Sequence, residues 1–205
     1  IAQSMTKAKY RALIYILFDS GFRSGEIMSV RKKDLIKEPY DGDETVWWIE
    51  CQESKTLTRK VPIPLFTQEI NMFVESGYYR ALNAEDELID VGYRAMLKTI
   101  QQHTDEVLGE EITPHHFRHS SATYYAKELE GNLFALCQRY GWVNGSDMAK
   151  TYVRRSGAHQ KAAAQKVVNN QLSETNERVD ELEEENEELK ERLSKLEDLM
   201  DTVTK

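Results

Sequence analysis

The chain has 205 residues, of which 40% are apolar and 30% are charged. This composition supplies enough apolar side chains for a packed core, and it excludes collagen-like and wholly disordered proteins. No uninterrupted apolar stretch reaches the roughly 18 residues that a membrane-spanning helix needs, so we expect no membrane partner. The two cysteines, Cys51 and Cys137, are too few for a disulfide framework or a cysteine-rich zinc site, and they are typical of a reducing, cytoplasmic setting.

The net charge of −8 is concentrated at one end of the chain. Residues 171–205 contain 13 Asp and Glu but only 5 Lys and Arg, so residues 1–170 carry equal numbers of acidic and basic side chains. A chain that was acidic throughout would argue against a nucleic-acid partner. A neutral body followed by a separate acidic tail does not.

The hydrophobic pattern of the body predicts a mainly helical fold with one small antiparallel β-sheet. A first helix ends at Gly21, and a short helix follows over residues 24–30. Two runs rich in aromatic and β-branched residues, 45–51 and 58–64, flank a polar turn and predict a hairpin. The second run contains two prolines, so its strand is expected to lie at an edge or to end early. Further helices are predicted over residues 68–75, 92–108, 114–129, 133–140 and 146–152.

The acidic tail has the seven-residue hydrophobic repeat of a coiled coil. Positions a are Leu172, Val179, Asn186, Leu193 and Met200, and positions d are Thr175, Leu182, Leu189, Leu196 and Val203. In a parallel dimer the flanking residues pair with opposite charge, as Arg178–Glu183, Glu185–Lys190 and Arg192–Glu197. The pattern therefore predicts a parallel homodimeric coiled coil, and the alternative is a solvated charged helix without a partner. The predicted parts are a body over 1–158, a helical linker over 159–171 and a coiled-coil helix over 172–204.

Arg23 lies at the start of the predicted short helix, three residues before Glu26. A guanidinium beside the unpaired N–H groups and the positive end of a helix dipole suits a phosphate. The alternative is a capping residue with a local ion pair, which contributes only a few tenths of a kcal/mol.

A second cluster lies where the helix over 114–129 begins. His115, Arg118 and His119 fall on one face of that helix and form a cationic, donor-rich surface. The spacing of the two histidines also fits a zinc site, although Arg118 on the same face would repel a dication and no Glu follows His115. A structural, hydrogen-bonded histidine cluster is the third interpretation.

Taken in chain order, these motifs resemble the catalytic domain of the tyrosine recombinases, the phage integrase family. The resemblance extends over about residues 5–156 and consists of Arg-x-x-Glu, a lysine in a hairpin turn, His-x-x-Arg-His, Gly-Trp and a tyrosine. The matching residues are Arg23, Glu26, Lys55, His115, Arg118, His119, Trp142 and Tyr152.

Two features depart from the family pattern. The gap between Trp142 and Tyr152 is about one residue longer than expected, so the loop before the tyrosine is expected to differ. Trp142 stands where the family often has His, and it can donate only through its indole N–H.

The resemblance implies a site-specific recombinase that cleaves and rejoins double-stranded DNA through a 3′-phosphotyrosyl intermediate. Two transesterifications conserve the phosphodiester energy, so neither a cofactor nor a metal is expected. Tyr152 would be the nucleophile. Arg23 and Arg118 would bind the charge that develops on the non-bridging phosphate oxygens.

The remaining matched residues receive supporting roles from the same resemblance. His115 and Trp142 would add hydrogen bonds to the phosphate, and Lys55 would be the general acid for the departing 5′-hydroxyl. Glu26 would orient Arg23, and His119 would support the residues that contact the phosphate.

Other functions remain open on these residues. A type IB topoisomerase-like nicking-closing enzyme uses a similar residue set, and a non-catalytic DNA-binding or coiled-coil scaffold belongs to a different class. The protein is expected in the cytoplasm, either associated with the nucleoid or encoded by a virus and integrating its genome in the host.

Family members usually clamp DNA with an additional N-terminal domain, which we expect to be missing from this chain. DNA binding is therefore expected to be weak and strongly salt-dependent. The predicted DNA-contacting surface, which could equally be ordinary solubilising charge, consists of Arg31, Lys32, Lys33, Arg59, Lys60, Arg154 and Arg155.

Overall fold

The computed structural model describes residues 1–41, 44–52 and 58–158, together with 160, 161, 163–166, 169 and 182. The chain divides into two compact units, Ile1–Ala158 and His159–Lys205. Apart from Leu182, the predicted coiled coil lies outside the described residues, so its heptad register stays a prediction.

Helices dominate the first unit, with one three-stranded sheet among its described residues. The elements in chain order are α1 Ala8–Ser20, α2 Ser24–Ser29, β1 Leu35–Asp41, β2 Glu44–Cys51, β3 Arg59–Pro62, α3 Thr67–Val74, α4 Gly77–Ala81, α5 Tyr93–Leu108, α6 Pro114–Glu128, α7 Leu133–Tyr140 and α8 Asp147–Ser156. The prediction of a mainly helical body with a small antiparallel sheet is confirmed. Among the described helices, none is long and apolar enough to cross a membrane.

The sheet has the order β1-β2-β3, and both pairs of strands are antiparallel. Ile49 at its centre pairs with Leu35 on one side and with Val61 on the other. β2 and β3 pair antiparallel as the predicted hairpin requires, and β3, which ends at Pro62, lies at an edge of the sheet, where a residue without an N–H is tolerated. The predicted turn, residues 53–57, lies outside the described residues.

Two elements were not predicted from the sequence. β1 contains Pro39, which argues against a central strand but is tolerated here because β1 lies at the edge of the sheet. α4 begins at Gly77, between the helices predicted over residues 68–75 and 92–108, and Ser76 caps it by accepting a hydrogen bond from the Tyr79 backbone N–H.

Gly21 ends α1 in the left-handed conformation, with φ of 61°. A side chain there would be strained, and its Cβ would also overlap the ring of Tyr140 at the end of α7. Gly21 therefore allows the ends of α1 and α7 to approach each other closely, at the point where the candidate site forms.

The apolar interior consists of two clusters. The larger one joins α1, α2, the sheet, α3 and α5, and the smaller one joins α6, α7 and α8. Arg23 is attached to the first cluster through α2, whereas Tyr152 belongs to the second. The candidate site consequently draws its side chains from both clusters.

A buried ionic contact also connects the two clusters. Asp19 of α1 accepts hydrogen bonds from the Tyr125 hydroxyl, from Arg139 at 3.1 Å and from the Leu65 backbone N–H at 2.7 Å. Burial raises the pKa of Asp19, although these donors and the charge of Arg139 oppose the rise. Asp19 thereby connects α1 to α6, to α7 and to the segment that follows β3.

Candidate active site

Arg23 is the residue immediately before α2, and Glu26 holds it in place. Its backbone N–H donates to Glu26 Oε2 at 2.7 Å, and its guanidinium Nη1 donates to Glu26 Oε1 at 2.7 Å. The local ion pair considered in the sequence analysis is therefore present. The Arg23 side chain nevertheless remains 35% exposed, so its outer face can contact a ligand.

Glu26 is buried and lies among three guanidinium groups. Besides Arg23, its Oε2 lies 2.5 Å from Arg59 Nη2 and 3.9 Å from Arg118 Nη1. Burial alone would raise the pKa of the Glu26 carboxyl, but Arg59 and the hydrogen bonds from Arg23 outweigh burial and lower that pKa. Glu26 is therefore a carboxylate at neutral pH, and it fixes the relative positions of the arginines.

The prediction that Arg59 lies on an exposed basic surface is wrong. Its side chain is only 5% exposed, and its guanidinium stacks over the Phe22 ring at 4.8 Å from the centroid. Its Nε and Nη1 have no hydrogen-bond partner within the described part of the chain. The alternation of β3 carries the signal that was missed, because Arg59, Val61 and Ile63 are buried while Lys60 between them is exposed.

Arg118 of α6 is 5% exposed and reaches the ends of two other helices. Its Nη1 donates to the Gly21 carbonyl at 2.5 Å, and its Nη2 donates to the Tyr140 carbonyl at 2.7 Å. Carbonyls at helix carboxyl ends lack intrahelical partners and attract cations. Burial, with help from the charges of Arg23 and Arg59, lowers the pKa of Arg118 to about 10, so Arg118 remains cationic at neutral pH.

The two histidines of α6 meet as the sequence predicts, but Arg118 lies deeper than they do. The His115 and His119 rings are edge to face, with centroids 4.1 Å apart. His115 is exposed, and its pKa is lowered by burial and by the charges of Arg118, His116 and Arg23. The three side chains therefore do not form the predicted cationic surface, because the two imidazoles are more exposed than the Arg118 guanidinium, which is buried.

Tyr152 of α8 is 3% exposed, and its hydroxyl is hydrogen-bonded to Nδ1 of His119. Burial raises the pKa of the Tyr152 phenol, while the charges of Arg118 and Arg155 lower it in part. The phenol is consequently protonated at neutral pH, and His119, considered only as support in the sequence analysis, contacts its reactive oxygen directly.

Trp142 lies between two tyrosine rings. Its indole stacks on Tyr140 with centroids 4.8 Å apart and on Tyr152 with centroids 5.4 Å apart, nearly parallel at 4°. The Arg118 guanidinium carbon lies 5.6 Å from the Trp142 ring centroid. This column of rings holds the Tyr152 phenol beside the cations of the site.

An open cavity of about 420 Å³ lies beside Arg23. Its other walls are formed by the loop between α7 and α8, residues 141–146, and by Asp147 at the start of α8, and Gly145 in this loop adopts a left-handed φ of 81°. Because this loop also carries Trp142, the cavity connects the exposed face of Arg23 with the stacked aromatic rings.

The remaining predicted residues are Lys55 and six of the seven residues of the predicted DNA-contacting surface. Lys55 is outside the described residues. Lys33 is paired with Glu85 at 2.7 Å, Arg31 also bonds Glu85, and Lys32 donates to the Leu82 carbonyl. Lys60 is paired with Glu38, and Arg154 and Arg155 are exposed on α8. Among the described residues, no group of three or more His, Cys, Asp and Glu side chains could hold a metal ion.

Comparison with known proteins adds an independent observation. Residues 1–159 match the sequence model of the phage integrase family, which is more than half of the chain. The chain belongs to the phage integrase family. Among its relatives is the tyrosine recombinase XerA of Saccharolobus solfataricus, which is 27% identical over 127 residues, 62% of this chain and 40% of that protein.

Solved structures agree on the fold of this integrase-family chain. The XerH site-specific recombinase bound to palindromic difH substrate, in a post-cleavage complex, superposes with a TM-score of 0.59 and 20% identity, covering 79% of this chain and 48% of XerH. The XerA recombinase gives a TM-score of 0.53 and 18% identity, covering 83% of this chain and 60% of XerA. The chain thus spans about half the length of the relatives it matches.

Proposed function

We propose that this chain is the catalytic part of a site-specific recombinase, which cleaves and rejoins double-stranded DNA through a 3′-phosphotyrosyl intermediate. One observation carries the proposal. Arg118, Trp142, His119 and Tyr152 form a continuous set of contacts, and Arg23 is connected to it through Glu26. Membership of the phage integrase family supports the same chemistry.

Tyr152 would attack the scissile phosphorus, and the bond between phosphorus and the 5′-oxygen would break. Charge would develop on the non-bridging oxygens, where Arg23 and Arg118 supply fixed donors in a partly water-excluded site. Arg118 uses two of its N–H groups on carbonyls, and a guanidinium has five. The others are available for phosphate, with His115 and Trp142 as further donors.

Lys55 completes the proposed mechanism as general acid for the departing 5′-hydroxyl. The polar turn that carries it joins β2 to β3, and β3 also carries Arg59. The expected donors to the DNA backbone are the exposed Arg154 and Arg155. Further donors would be Arg31 and Lys33, once DNA displaces Glu85, and Lys60, once DNA displaces Glu38.

The proposed domain organisation is a catalytic body ending near residue 158, a linker and a dimerising coiled coil. The boundary agrees with the division of the chain into two units and with the end of the family match. Asn186→Lys or Leu189→Pro should then convert dimers into monomers in sedimentation. Unchanged dimers would contradict the heptad assignment. Action on DNA would take place in the cytoplasm, at the nucleoid or on a viral genome.

The decisive experiment uses a suicide DNA substrate, nicked near the cleavage site so that the cut strand is lost. The protein should form an adduct that survives denaturation, and Tyr152→Phe should abolish it. An adduct that forms equally with the Phe variant would refute the assignment of the nucleophile. Plasmid relaxation without exchange between two sites would favour the topoisomerase alternative, and absence of any adduct would favour the scaffold.

A further inference from the structure

The Tyr152 hydroxyl has a specific neighbour that the proposed phosphate-binding set leaves unexplained. Within the described residues, its hydrogen-bond partner is Nδ1 of His119, a side chain on the facing helix α6. The two rings lie 5.7 Å apart between centroids and are inclined by 40°, so the contact is made through the edge of the imidazole.

We propose that His119 is a catalytic residue, the base that takes the phenolic proton of Tyr152 during strand cleavage and returns it during rejoining. This inference rests on the proposed function, because it assigns a role within the same phosphotyrosyl reaction. It differs from the supporting role that the sequence analysis gave to His119.

The hydrogen-bonding pattern suits a proton acceptor. A neutral imidazole that accepts at Nδ1 carries its proton on Nε2, and a protonated imidazole cannot accept at all. The hydroxyl of Tyr152 therefore donates and His119 accepts when His119 is neutral. This is the arrangement from which a proton can move along an existing hydrogen bond.

The surroundings of His119 keep it neutral. Among the described residues, the charged and titratable groups that face it are His115, His116 and Arg118 on α6, and Arg155 and Tyr152 on α8. Burial is the largest cause of the lowered pKa of His119, and the charges of His115, His116, Arg155 and Arg118 lower that pKa further. An imidazolium formed during cleavage would lie among these cations, which favours return of the proton in the rejoining step.

His115 is less suited to the same task. It is exposed, and its ring contacts His119 at a centroid distance of 4.1 Å. The positions are one helical turn apart, so the rings are neighbours, but His119 is the member of the pair that reaches α8. His115 remains free to contact the phosphate.

The step balances without an added reagent. The bond between Tyr152 Oη and phosphorus forms, the bond between phosphorus and the 5′-oxygen breaks, and the phenolic proton moves to His119 Nδ1. The departing 5′-oxygen takes its proton from the general acid. In rejoining, the 5′-hydroxyl attacks phosphorus, the phenol oxygen leaves, and His119 returns its proton to that oxygen.

The test is single-turnover adduct formation on the suicide DNA, measured for wild type, His119→Ala, His119→Gln and Tyr152→Phe. Removing a general base typically costs about 10²- to 10⁴-fold in rate, and we expect a loss in that range for both His119 variants. Gln can accept the hydrogen bond but not the proton, so it separates catalysis from positioning. His103→Ala, on helix α5 where His103 contacts Ser4 and Glu106, serves as the matched control and should retain wild-type activity.

Chemical rescue makes the test specific. Added imidazole should restore cleavage by His119→Ala, and within a series of substituted imidazoles the rate should rise with base strength. The wild-type rate should fall as pH drops through the lowered pKa of His119, and the Gln variant should not show this fall. Rescue also demonstrates that the Ala variant is folded.

Three outcomes would overturn the inference. The first is a His119→Gln variant that forms the adduct as fast as wild type. The second is a His119→Ala variant whose rate depends on pH as the wild-type rate does. The third is rescue by substituted imidazoles, rising with base strength, of His115→Ala but not of His119→Ala. In each case Tyr152-dependent adducts still form in wild type, so the proposed function survives. If wild type forms no adduct at all, the proposed function and this inference fail together.

Discussion

Glu26 and Arg59 form an ion pair of 2.5 Å in which both side chains are about 95% buried. The pair connects α2 to the edge strand β3 and lies directly behind Arg23 and Arg118. Buried ion pairs contribute little net stability compared with a well-packed apolar pair, yet loss of one partner leaves an uncompensated charge. The position of this pair indicates that it holds Arg23 and Arg118 in place.

Arg59→Gln should therefore be strongly destabilising and should also slow adduct formation. Removing one partner of a buried pair costs about 3–5 kcal/mol, measurable as a shift in the urea midpoint. Lys60→Gln is the matched control, since Lys60 is the next residue on the same strand but is exposed. Equal stability of the two variants would contradict the assigned burial of Arg59.

Stability should fall on acidification because of Glu26. Its pKa is lowered in the folded state, so its contribution is complete above the unfolded-state pKa of about 4.3 and is lost as pH falls through the lower folded pKa. Urea unfolding followed from neutral pH to about pH 3 should show this loss. The Glu26→Gln variant should be less stable than wild type at neutral pH, and its free energy of unfolding should fall less between neutral pH and about pH 3. An equal fall in both proteins would argue against the prediction.

Gly21→Ala should be destabilising even though only one methyl group is added. The position has φ of 61°, and the new Cβ would overlap the Tyr140 ring. We expect a loss of more than about 1 kcal/mol, together with slower adduct formation, since the Gly21 carbonyl binds Arg118. Gly25→Ala is the control, because a Cβ there meets open space inside α2. Its substitution should leave stability equal or slightly higher.

Trp142→Phe should retain far more adduct formation than Trp142→Ala. Phe preserves an aromatic face for Tyr152, whose ring is stacked on the indole at 5.4 Å. A stacked pair contributes about 0.5–1.5 kcal/mol beyond its buried area, so Ala should lose positioning as well as the indole N–H. Equal rates for the two variants, with equal thermal stability, would mean that the N–H alone matters.

The sequence predicted most helices of the body and most residues of the candidate site because those signals are local. Gly21 marks the end of α1, and His115 and His119 are neighbours by helical spacing alone. What it did not predict depends on contacts between distant segments. Arg59 was assigned to the surface because charged residues are seldom buried, and its partner Glu26 lies 33 residues away.

The contact between His119 and Tyr152 is another long-range relationship. The two residues are separated by 33 positions, and they meet because α6 packs against α8. The motif order identified both residues, but only the packing of these helices reveals which histidine touches the phenol. β1 was missed for a related reason, since whether Pro39 is tolerated depends on the strand being at an edge.

Arg118 connects the carboxyl ends of α1 and α7 by donating hydrogen bonds to the Gly21 and Tyr140 carbonyls, and it also lies at the candidate phosphate site. If Arg118 also binds phosphate as proposed, a variant at this position changes both the packing of these helix ends and the rate of adduct formation. A related chain without the proposed activity could not lose Arg118 without also losing these contacts between the ends of α1 and α7. Retention of this arginine in a chain would therefore be a poor indicator of activity, and Tyr152 would be the more informative residue to inspect.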